Sequence, residues 1–535
     1  MDMFKSEAFA AYMEQLMKQH HVPGLSMAVV QGDEIASAGY GYTSLDPPKP
    51  CTADSLFDIA SCSKSFTASS VGLLIGDKKY PEIQWGAKMS KLLPEDFVMP
   101  SKEHTDNVTV EDILSHRSGM GRHDFSYMGQ TAAEPDTPRS VTRNLRNLYI
   151  GAPMRTKFIY CNQMFTVATH LIEVKTQKTF SNFLEERIFQ PLNMTSTSLQ
   201  PFRVKAKGHG DRISPGYYWE EEKESYRSIE IADTPEDQGA GSIITSANDF
   251  IKWVKALMYH EGPITKKLYE GLVKLRSFSQ PYPKKLKPFQ SPCFDCAGVE
   301  VHWYRGYMMV GHDGGICGFS SRFFFLPQLR FGVCLIANSS GGYEISEIIR
   351  PLLIDAALKV PEAECVIRIP KTITAKEDDL PVREKDNQSS GQTQDKPKAG
   401  NEEKEEEEEE AEDKQASKKK KSGGLWGRQQ PEAHTTPLSA YVGNYWHPGY
   451  RNMKVEITDD KLFIDASDRT DGFFVTFEHF LKQTHFTAHL YDKYEGGDWP
   501  VKAKFELKDS RAVRLGMDLE SSLNDLIWFD YQKEG

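Results

Sequence analysis

Two residues in the segment SLFDIASCSKSFTASSVGLLI, residues 55–75, have the types and the spacing for nucleophilic chemistry. Ser61 stands where the pattern predicts that a helix begins, and Lys64 follows one turn later on the same face. A desolvated lysine of lowered pKa is one of the few groups that can take a serine proton. Unpaired N–H groups at the helix start could bind a developing oxyanion. The same pair is also compatible with a Ser/Thr-rich helix start and a solvated lysine.

A second motif, Tyr160-Cys161-Asn162, is predicted to lie in a loop before a helix. Such a loop could place the phenol and the amide beside Ser61. A tyrosine near Lys64 is expected to have a lowered pKa and could relay protons. The amide of Asn162 could hold a substrate carbonyl.

The third motif is the sequence GHDGG, residues 311–315, at the end of a predicted strand. Glycines at such a position let a substrate approach the backbone closely. The N–H of Gly315 could supply a second oxyanion donor beside that of Ser61.

Other residues of catalytic type receive structural interpretations. His116 could act as a base, but its place at a helix end favours a hydrogen-bonded structural histidine. Cys293-x-x-Cys296 is the only close pair among eight cysteines and lacks a second pair or histidines at zinc spacing. We therefore expect neither a metal nor a redox site, and small buried cysteines of a reducing compartment.

Composition limits the function classes. The chain has 535 residues, enough for two to four domains, and 39% hydrophobic with 11% aromatic residues is typical of a globular protein. The net charge is -11 and no basic face is evident, which argues against nucleic-acid binding. No apolar run predicts a transmembrane helix, and the N-terminus lacks the layout of a signal peptide. We expect a cytoplasmic protein without a membrane partner, or one whose leader has been removed.

The order of predicted elements favours an α+β fold over residues 1–369. A leading helix at residues 5–20 precedes a hairpin around Gly32-Asp33. Three strands joined by glycine turns are predicted between Val301 and Asn338, followed by a helix from Tyr343 to Leu358. Strands at both ends with helices between them predict one antiparallel sheet that is closed by distant segments and flanked by helices.

The remaining sequence changes in character twice. Residues 370–436 contain an acidic run and then KKKK, and this composition predicts a disordered linker. The lysine run is either a localisation signal or a solvated counterpart of the acidic run. Short alternating strands with frequent turns return over residues 437–535 and predict a small antiparallel β-barrel that folds independently.

The three motifs follow one another at distances of about 100 and 150 residues. In this combination the chain resembles the serine β-lactamase-like family of class C β-lactamases, D-alanyl-D-alanine carboxypeptidases, D-aminopeptidases and related esterases. Blocks such as VPGLSMAVVQGDEI, ILSHRSGM and GAGSIITSANDF extend the resemblance over about residues 5–360. The C-terminal module resembles the lipocalin-like barrel that follows the catalytic domain in some members.

The resemblance implies a role for each motif residue. Ser61 would be the acylated nucleophile, Lys64 its activating partner and Tyr160 the general base and acid. The residues implied in substrate binding are Asn162, His312, Gly314 and Gly315. No cofactor or metal is implied, and the expected partner is a small-molecule or short-peptide acyl substrate, with the oligomeric state left open.

Two departures from the family's pattern affect the substrate. His312 stands where β-lactamases mostly carry lysine, and Asp313 adds a carboxylate that would repel a β-lactam carboxylate. We expect a serine hydrolase that forms an acyl-enzyme on an ester or amide, with peptides containing a D-residue among the candidates. The alternatives are an acyltransferase, in which an alcohol or amine replaces water, and a catalytically silent scaffold, although no motif residue is lost.

Overall fold

The computed structural model describes residues 1–280, 285–370, 425–426 and 429–533. The predicted α+β class is confirmed, because a helix-flanked antiparallel sheet is followed by a closed β-barrel. Within the described ranges, no helix combines the length and the hydropathy needed to cross a membrane. Most of the predicted linker, residues 371–424 and 427–428, lies outside the described residues.

The helices and strands before the linker surround one large sheet. The helices are α1 Glu7–Gln19, α2 Ser63–Gly76, α3 Met89–Leu92, α4 Lys102–Asn107, α5 Val110–Ile113, α6 Pro138–Asn144, α7 Gln163–Thr176, α8 Phe180–Leu184, α9 Pro201–Ala206, α10 Ala247–Tyr259, α11 Lys266–Val273 and α12 Gly342–Ala357. The strands are β1 Gly24–Gln31, β2 Glu34–Leu45, β3 Pro48–Pro50, β4 Phe57–Asp58, β5 Ser198–Leu199, β6 Gly216–Glu220, β7 Ser225–Ile229, β8 Ile243–Thr245, β9 Ser277–Phe278, β10 Phe294–Asp295, β11 Glu300–Tyr304, β12 Tyr307–Ile316, β13 Phe319–Leu326 and β14 Phe331–Ala337.

The main sheet has the strand order β3-β2-β1-β14-β13-β12-β11-β10-β9. The predicted hairpin is present as β1 and β2, and the predicted closure by distant segments is the pairing of β1 with β14, in which Leu25 lies opposite Ala337. One face of the sheet packs against α1 and α12. The other face packs against α10, where Phe250 contacts Phe323, and α2 lies behind it with Phe66 stacked on Trp253.

The prediction of three strands between Val301 and Asn338 was wrong, because four strands, β11 to β14, occupy this region. The missed turn is Arg305-Gly306, a two-residue connection in which both residues have positive φ, 49° and 81°. Tyr304 and Tyr307 pair directly across it. Such two-residue turns select glycine, but here the flanking aromatic residues made the two strands look continuous.

The C-terminal barrel closes with eight strands, as the turn spacing predicted. They are β15 Gly443–His447, β16 Arg451–Thr458, β17 Lys461–Ala466, β18 Phe473–Leu481, β19 His485–Asp492, β20 Gly496–Lys508, β21 Arg511–Met517 and β22 Ile527–Gln532. Aromatic side chains fill its interior, and Phe505 contacts Tyr441, Tyr445, Phe477 and Phe486. The backbone N–H of Glu432, within the predicted linker, already donates to Phe480 O of the barrel at 2.7 Å.

The barrel packs against the helix-flanked sheet region through buried polar contacts. His123 N donates to a carboxylate oxygen of Glu520 at 2.7 Å, and His123 Nδ1 lies 2.7 Å from the Tyr450 hydroxyl. Arg469, which is 4% exposed, donates to Phe125 O at 3.1 Å. These contacts join the barrel to the loop that follows α5, close to the second sequence motif.

Candidate active site

Ser61 lies on a sharp connection between a short strand and a helix. The strand β4 ends at Asp58, one 3-10 turn spans Ala60–Cys62, and α2 begins at Ser63. Ala60 has a positive φ of 44°, and its N–H donates to a carboxylate oxygen of Asp58 at 2.6 Å. This bond holds a backbone conformation that is uncommon for alanine, and the turn presents the Ser61 hydroxyl at a helix start, as the sequence predicted.

The structure brings Ser61, Lys64 and Tyr160 together. Lys64 Nζ lies 2.9 Å from Ser61 Oγ, and the Tyr160 hydroxyl donates to the same oxygen at 2.8 Å. Lys64 is completely buried and also donates to Ala240 O at 3.0 Å. The serine hydroxyl is therefore held between an amine and a phenol, each within direct proton-transfer distance.

Burial lowers the pKa of Lys64 from 10.5 to about 8, and the charges of Asp237 and Asp124 offset part of this effect. The direction agrees with the prediction of a desolvated lysine. An appreciable fraction of Lys64 is therefore neutral near pH 7, and a neutral amine can accept the Ser61 proton.

The prediction of a lowered pKa for Tyr160 was wrong. The ring is half-buried and stacks on that of His116 at 4.2 Å between centroids, and desolvation of the hydroxyl raises the Tyr160 pKa well above its usual value of 10.0. Arg122, with its guanidinium carbon 5.2 Å from the ring centroid, opposes this effect only in part. Tyr160 is consequently a phenol that donates a proton, rather than a phenolate, in this state of the site.

His116 lies behind Tyr160, away from Ser61. The backbone N–H of Cys161 donates to His116 Nδ1 at 3.0 Å, and burial holds the pKa of His116 well below 6.5. The histidine thus anchors the loop that carries the second motif, in agreement with its structural interpretation.

Asn162 points toward a different neighbour. Its Nδ2 donates to Asp124 at 3.1 Å, and Asp124 also accepts from Arg122 at 2.9 Å. The amide oxygen of Asn162 is buried and has no hydrogen-bond partner among the described residues. The structure therefore links Asn162 to Arg122 rather than to Ser61, and its substrate-binding role stays a prediction.

The third motif lies at the end of β12, beside Ser61. His312, Gly314 and Gly315 line one cavity with Ser61 and Tyr160, and its volume is about 560 Å³. A side chain at Gly314 would collide with Ile59 O, because an added Cβ would lie 2.3 Å away, so the strand requires glycine there to reach the Ser61 turn. Gly315 faces open space, which leaves room for a substrate.

The electrostatics of the third motif differ from the sequence expectation. Burial lowers the pKa of His312 to about 4, so this residue is neutral at pH 7. Asp313 forms a two-pronged ion pair with Arg322 on the neighbouring strand, and Arg322 also contacts Glu347. The charge of Asp313 is therefore largely compensated, which the sequence alone did not reveal.

Several residues of the site were missed by sequence reasoning. Glu300 lines the same cavity from β11, and Glu495 reaches it from the barrel, where it accepts from Gly318 N at 3.0 Å. A smaller cavity of about 140 Å³ adjoins it between the two parts of the chain, and Asp237 and Asp471 are among its lining residues. None of these residues belongs to a local motif, so no sequence signal could have identified them.

Comparison with known proteins identifies the family of the chain. A model of the beta-lactamase family matches residues 9–358, and a model described as a domain of unknown function, DUF3471, matches residues 427–531. The unguisins hydrolase ungD' of Aspergillus campestris is 31% identical over 98% of this chain and 92% of its own length. The unguisins hydrolase ungD of Aspergillus violaceofuscus is 30% identical over 97% of this chain and 89% of its own length.

Two solved structures share the fold. The octameric penicillin-binding protein homologue from Pyrococcus abyssi has a TM-score of 0.56 and 16% identity, and the match covers 97% of this chain and 98% of that one. The D-amino acid amidase of Ochrobactrum anthropi has a TM-score of 0.51 and 22% identity, over 65% of this chain and 99% of its own. A family model that matches more than half of the sequence and a relative that is similar along nearly all of it place this chain in the beta-lactamase family.

Proposed function

We propose that the protein is a serine hydrolase that cleaves an ester or amide through an acyl-enzyme on Ser61. One observation carries this proposal: Ser61 Oγ lies within 2.9 Å of Lys64 Nζ and 2.8 Å of the Tyr160 hydroxyl, at the wall of an open cavity. The similarity to hydrolases along the whole chain supports the reaction class.

Acylation begins at neutral Lys64. Its amine takes the Ser61 proton while Oγ bonds to the substrate carbonyl carbon, and the carbonyl oxygen becomes an oxyanion. The backbone N–H groups of Ser61 and Gly315 are the proposed donors to that oxyanion. Lys64 becomes an ammonium at this stage, and its positive charge favours the loss of the Tyr160 proton to the leaving group.

The leaving group receives its proton from Tyr160. The phenol, protonated because it is buried, donates to the departing alcohol or amine as the tetrahedral intermediate collapses to the acyl-enzyme. The resulting phenolate lies beside the Lys64 ammonium, whose Nζ is 4.7 Å from the ring centroid, and regains a proton from it. This relay restores neutral Lys64, which takes a proton from the water that attacks the acyl-enzyme. Ser61 Oγ then leaves the tetrahedral intermediate, regains a proton from the Lys64 ammonium, and the acid product departs.

The proposed substrates are esters and amides that carry no carboxylate beside the scissile bond. The neutral His312 offers no fixed cation for a carboxylate beside the scissile bond, so esters and amides without one fit better than β-lactams. The relatives named as unguisins hydrolases and the D-amino acid amidase keep peptides and amides, including those with a D-residue, among the candidates. We also retain an intracellular location as a proposal.

Intact mass spectrometry after exposure to a fluorophosphonate tests the proposal. We expect one covalent adduct in the wild-type protein and none in Ser61→Ala. The matched control is Ser340→Ala, which removes an exposed serine from the wall of the same cavity and should keep the adduct. An adduct that persists in Ser61→Ala would overturn the proposal.

A further inference from the structure

The charged residues that line the Ser61 cavity are all acidic. They are Glu300, Asp313 and Glu495. Asp313 is paired with Arg322, and Glu495 accepts a backbone hydrogen bond from Gly318. Glu300 forms no ion pair within the described part of the chain, and its side-chain partner there is the thiol of Cys293, a weak donor.

A second carboxyl group stands directly behind Glu300. Strands β10 and β11 pair in a register that places Asp295 opposite Glu300. Asp295 is 2% exposed, and its Oδ1 has no hydrogen-bond partner among the described residues. A buried carboxyl oxygen without a donor is costly, so Asp295 would be stabilised by a donor brought to this part of the sheet.

The two carboxyl groups also affect each other and the catalytic residues. Burial and then the charge of Asp313 raise the pKa of Glu300 to about 7, whereas burial and then the charge of Glu300 raise the pKa of Asp295 well above 3.8. The positive charge of Lys64 acts on Asp295, and both carboxyl groups raise the pKa of Tyr160. The pair therefore interacts with the reacting groups. Arg322 and Arg350 lower the pKa of Glu300 in part, but neither forms an ion pair with it in the described part of the chain.

We propose that the substrate carries an ammonium group and that Glu300, supported by Asp295, binds it in the Ser61 cavity. An ammonium offers three N–H donors and one positive charge, and neither carboxyl group has a charged donor in direct contact among the described residues. Glu300 lines the cavity and would contact the substrate directly, whereas Asp295 would act through Glu300 as a positioning residue. The inference rests on the proposed function and narrows its substrates to amino-group-bearing esters and amides.

Matched substrates that differ only in the amine test this inference. On the acyl side, alanine p-nitroanilide, as its D- and L-forms, is compared with propionic acid p-nitroanilide. On the alcohol side, 2-aminoethyl butyrate is compared with its isostere propyl butyrate. The amine-bearing member of at least one pair should have the higher kcat/KM, by about ten- to a hundredfold, the scale of one charge-assisted hydrogen bond.

The variant Glu300→Gln keeps the shape of the side chain and removes its charge. We expect the ratio of kcat/KM between the amine-bearing and the neutral substrate to fall by about tenfold or more. Glu270→Gln, at a side chain that is 60% exposed on α11 and does not line the cavity, is the charge-matched control and should keep the ratio.

The outcomes separate this inference from the proposed function. Equal or better turnover of the neutral member in both pairs would overturn the inference, and so would a preference that persists in Glu300→Gln. In either case, fluorophosphonate labelling of Ser61 would leave the proposed function standing. Loss of Ser61 labelling in the wild-type protein would instead overturn the proposed function itself.

Discussion

The pKa of Lys64 gives a quantitative prediction for the pH dependence of turnover. With a pKa of about 8 instead of 10.5, the fraction of neutral lysine at pH 7 rises from roughly one in three thousand to roughly one in ten. This increase of about 300-fold in the neutral form is offset in part by the lower basicity of the amine. Under the proposed mechanism, the burial of Lys64 against Tyr160 and Phe165 therefore sets the pH at which turnover levels off.

The sign of the effect follows from the role of Lys64 as a base. Neutral Lys64 is the reactive form, so kcat/KM for a neutral ester should rise about tenfold per pH unit below pH 8 and level off above it. The assay is product chromatography with propyl butyrate between pH 6 and pH 9.5. Lys64→Ala should reduce kcat/KM by about two to four orders of magnitude and remove this rise.

The pKa of Glu300 is raised to about 7, so the ionisation of Glu300 could also contribute to the pH profile and must be distinguished from that of Lys64. The profile is therefore repeated in Glu300→Gln, where a rise that ends near pH 8 should remain. A flat wild-type profile from pH 6 to pH 9, or an unchanged rise in Lys64→Ala, would refute the assignment of Lys64 as the base.

Three further predictions concern stability, substrate and the barrel. The pKa of Lys64 is lower in the folded state than its unfolded value of 10.5, so the burial of this side chain lowers stability, and the full loss is present below pH 8. Lys64→Met should therefore raise the free energy of unfolding at pH 7, measured by urea titration, by up to about 3 kcal/mol. An unchanged urea midpoint of unfolding would contradict this. Small activated esters should be hydrolysed with a higher kcat/KM than penicillins or cephalosporins, and a cephalosporin that exceeds p-nitrophenyl acetate would show the charge argument to be wrong. Glu495→Ala should increase the turnover of bulky relative to small acyl esters, because Glu495 is the residue of the barrel that lines the cavity. An unchanged ratio would contradict a role of the barrel in substrate selection.

Much of the fold could be predicted because its signals are local. The Gly32-Asp33 turn predicts the first hairpin, and turn spacing predicts the barrel. The main sheet required one non-local step, the pairing of β1 with β14, which followed from strand patterns at both ends of the catalytic region. The short strands β9 and β10 were missed because two-residue strands carry no periodicity and form only through their neighbours.

The site was predictable where residue type and spacing carry the chemistry, as in Ser61 and Lys64. It was not predictable where the pKa of a residue depends on how deeply the side chain is buried. The sequence places Tyr160 near a lysine and so predicts a lowered pKa, but burial of its hydroxyl and the charges of Asp295 and Glu300 raise the pKa instead. Glu300 was missed for another reason. A single glutamate in a strand carries no motif, and only the strand register shows that it lies opposite Asp295.

In the third motif, Asp313 is not the residue that determines the charge of the cavity wall. Asp313 suggested that the site would repel a substrate carboxylate, yet Arg322 compensates that charge. The expectation stays a prediction, and it now rests on the neutral His312 and on Glu300, which adds a carboxyl group without an ion pair among the described residues to the same wall. The proposed selection against a negatively charged substrate therefore depends on Glu300 of β11, next to the strand that carries the third motif. Substitution of Glu300, rather than of Asp313, is therefore the change that should alter which charges the cavity accepts.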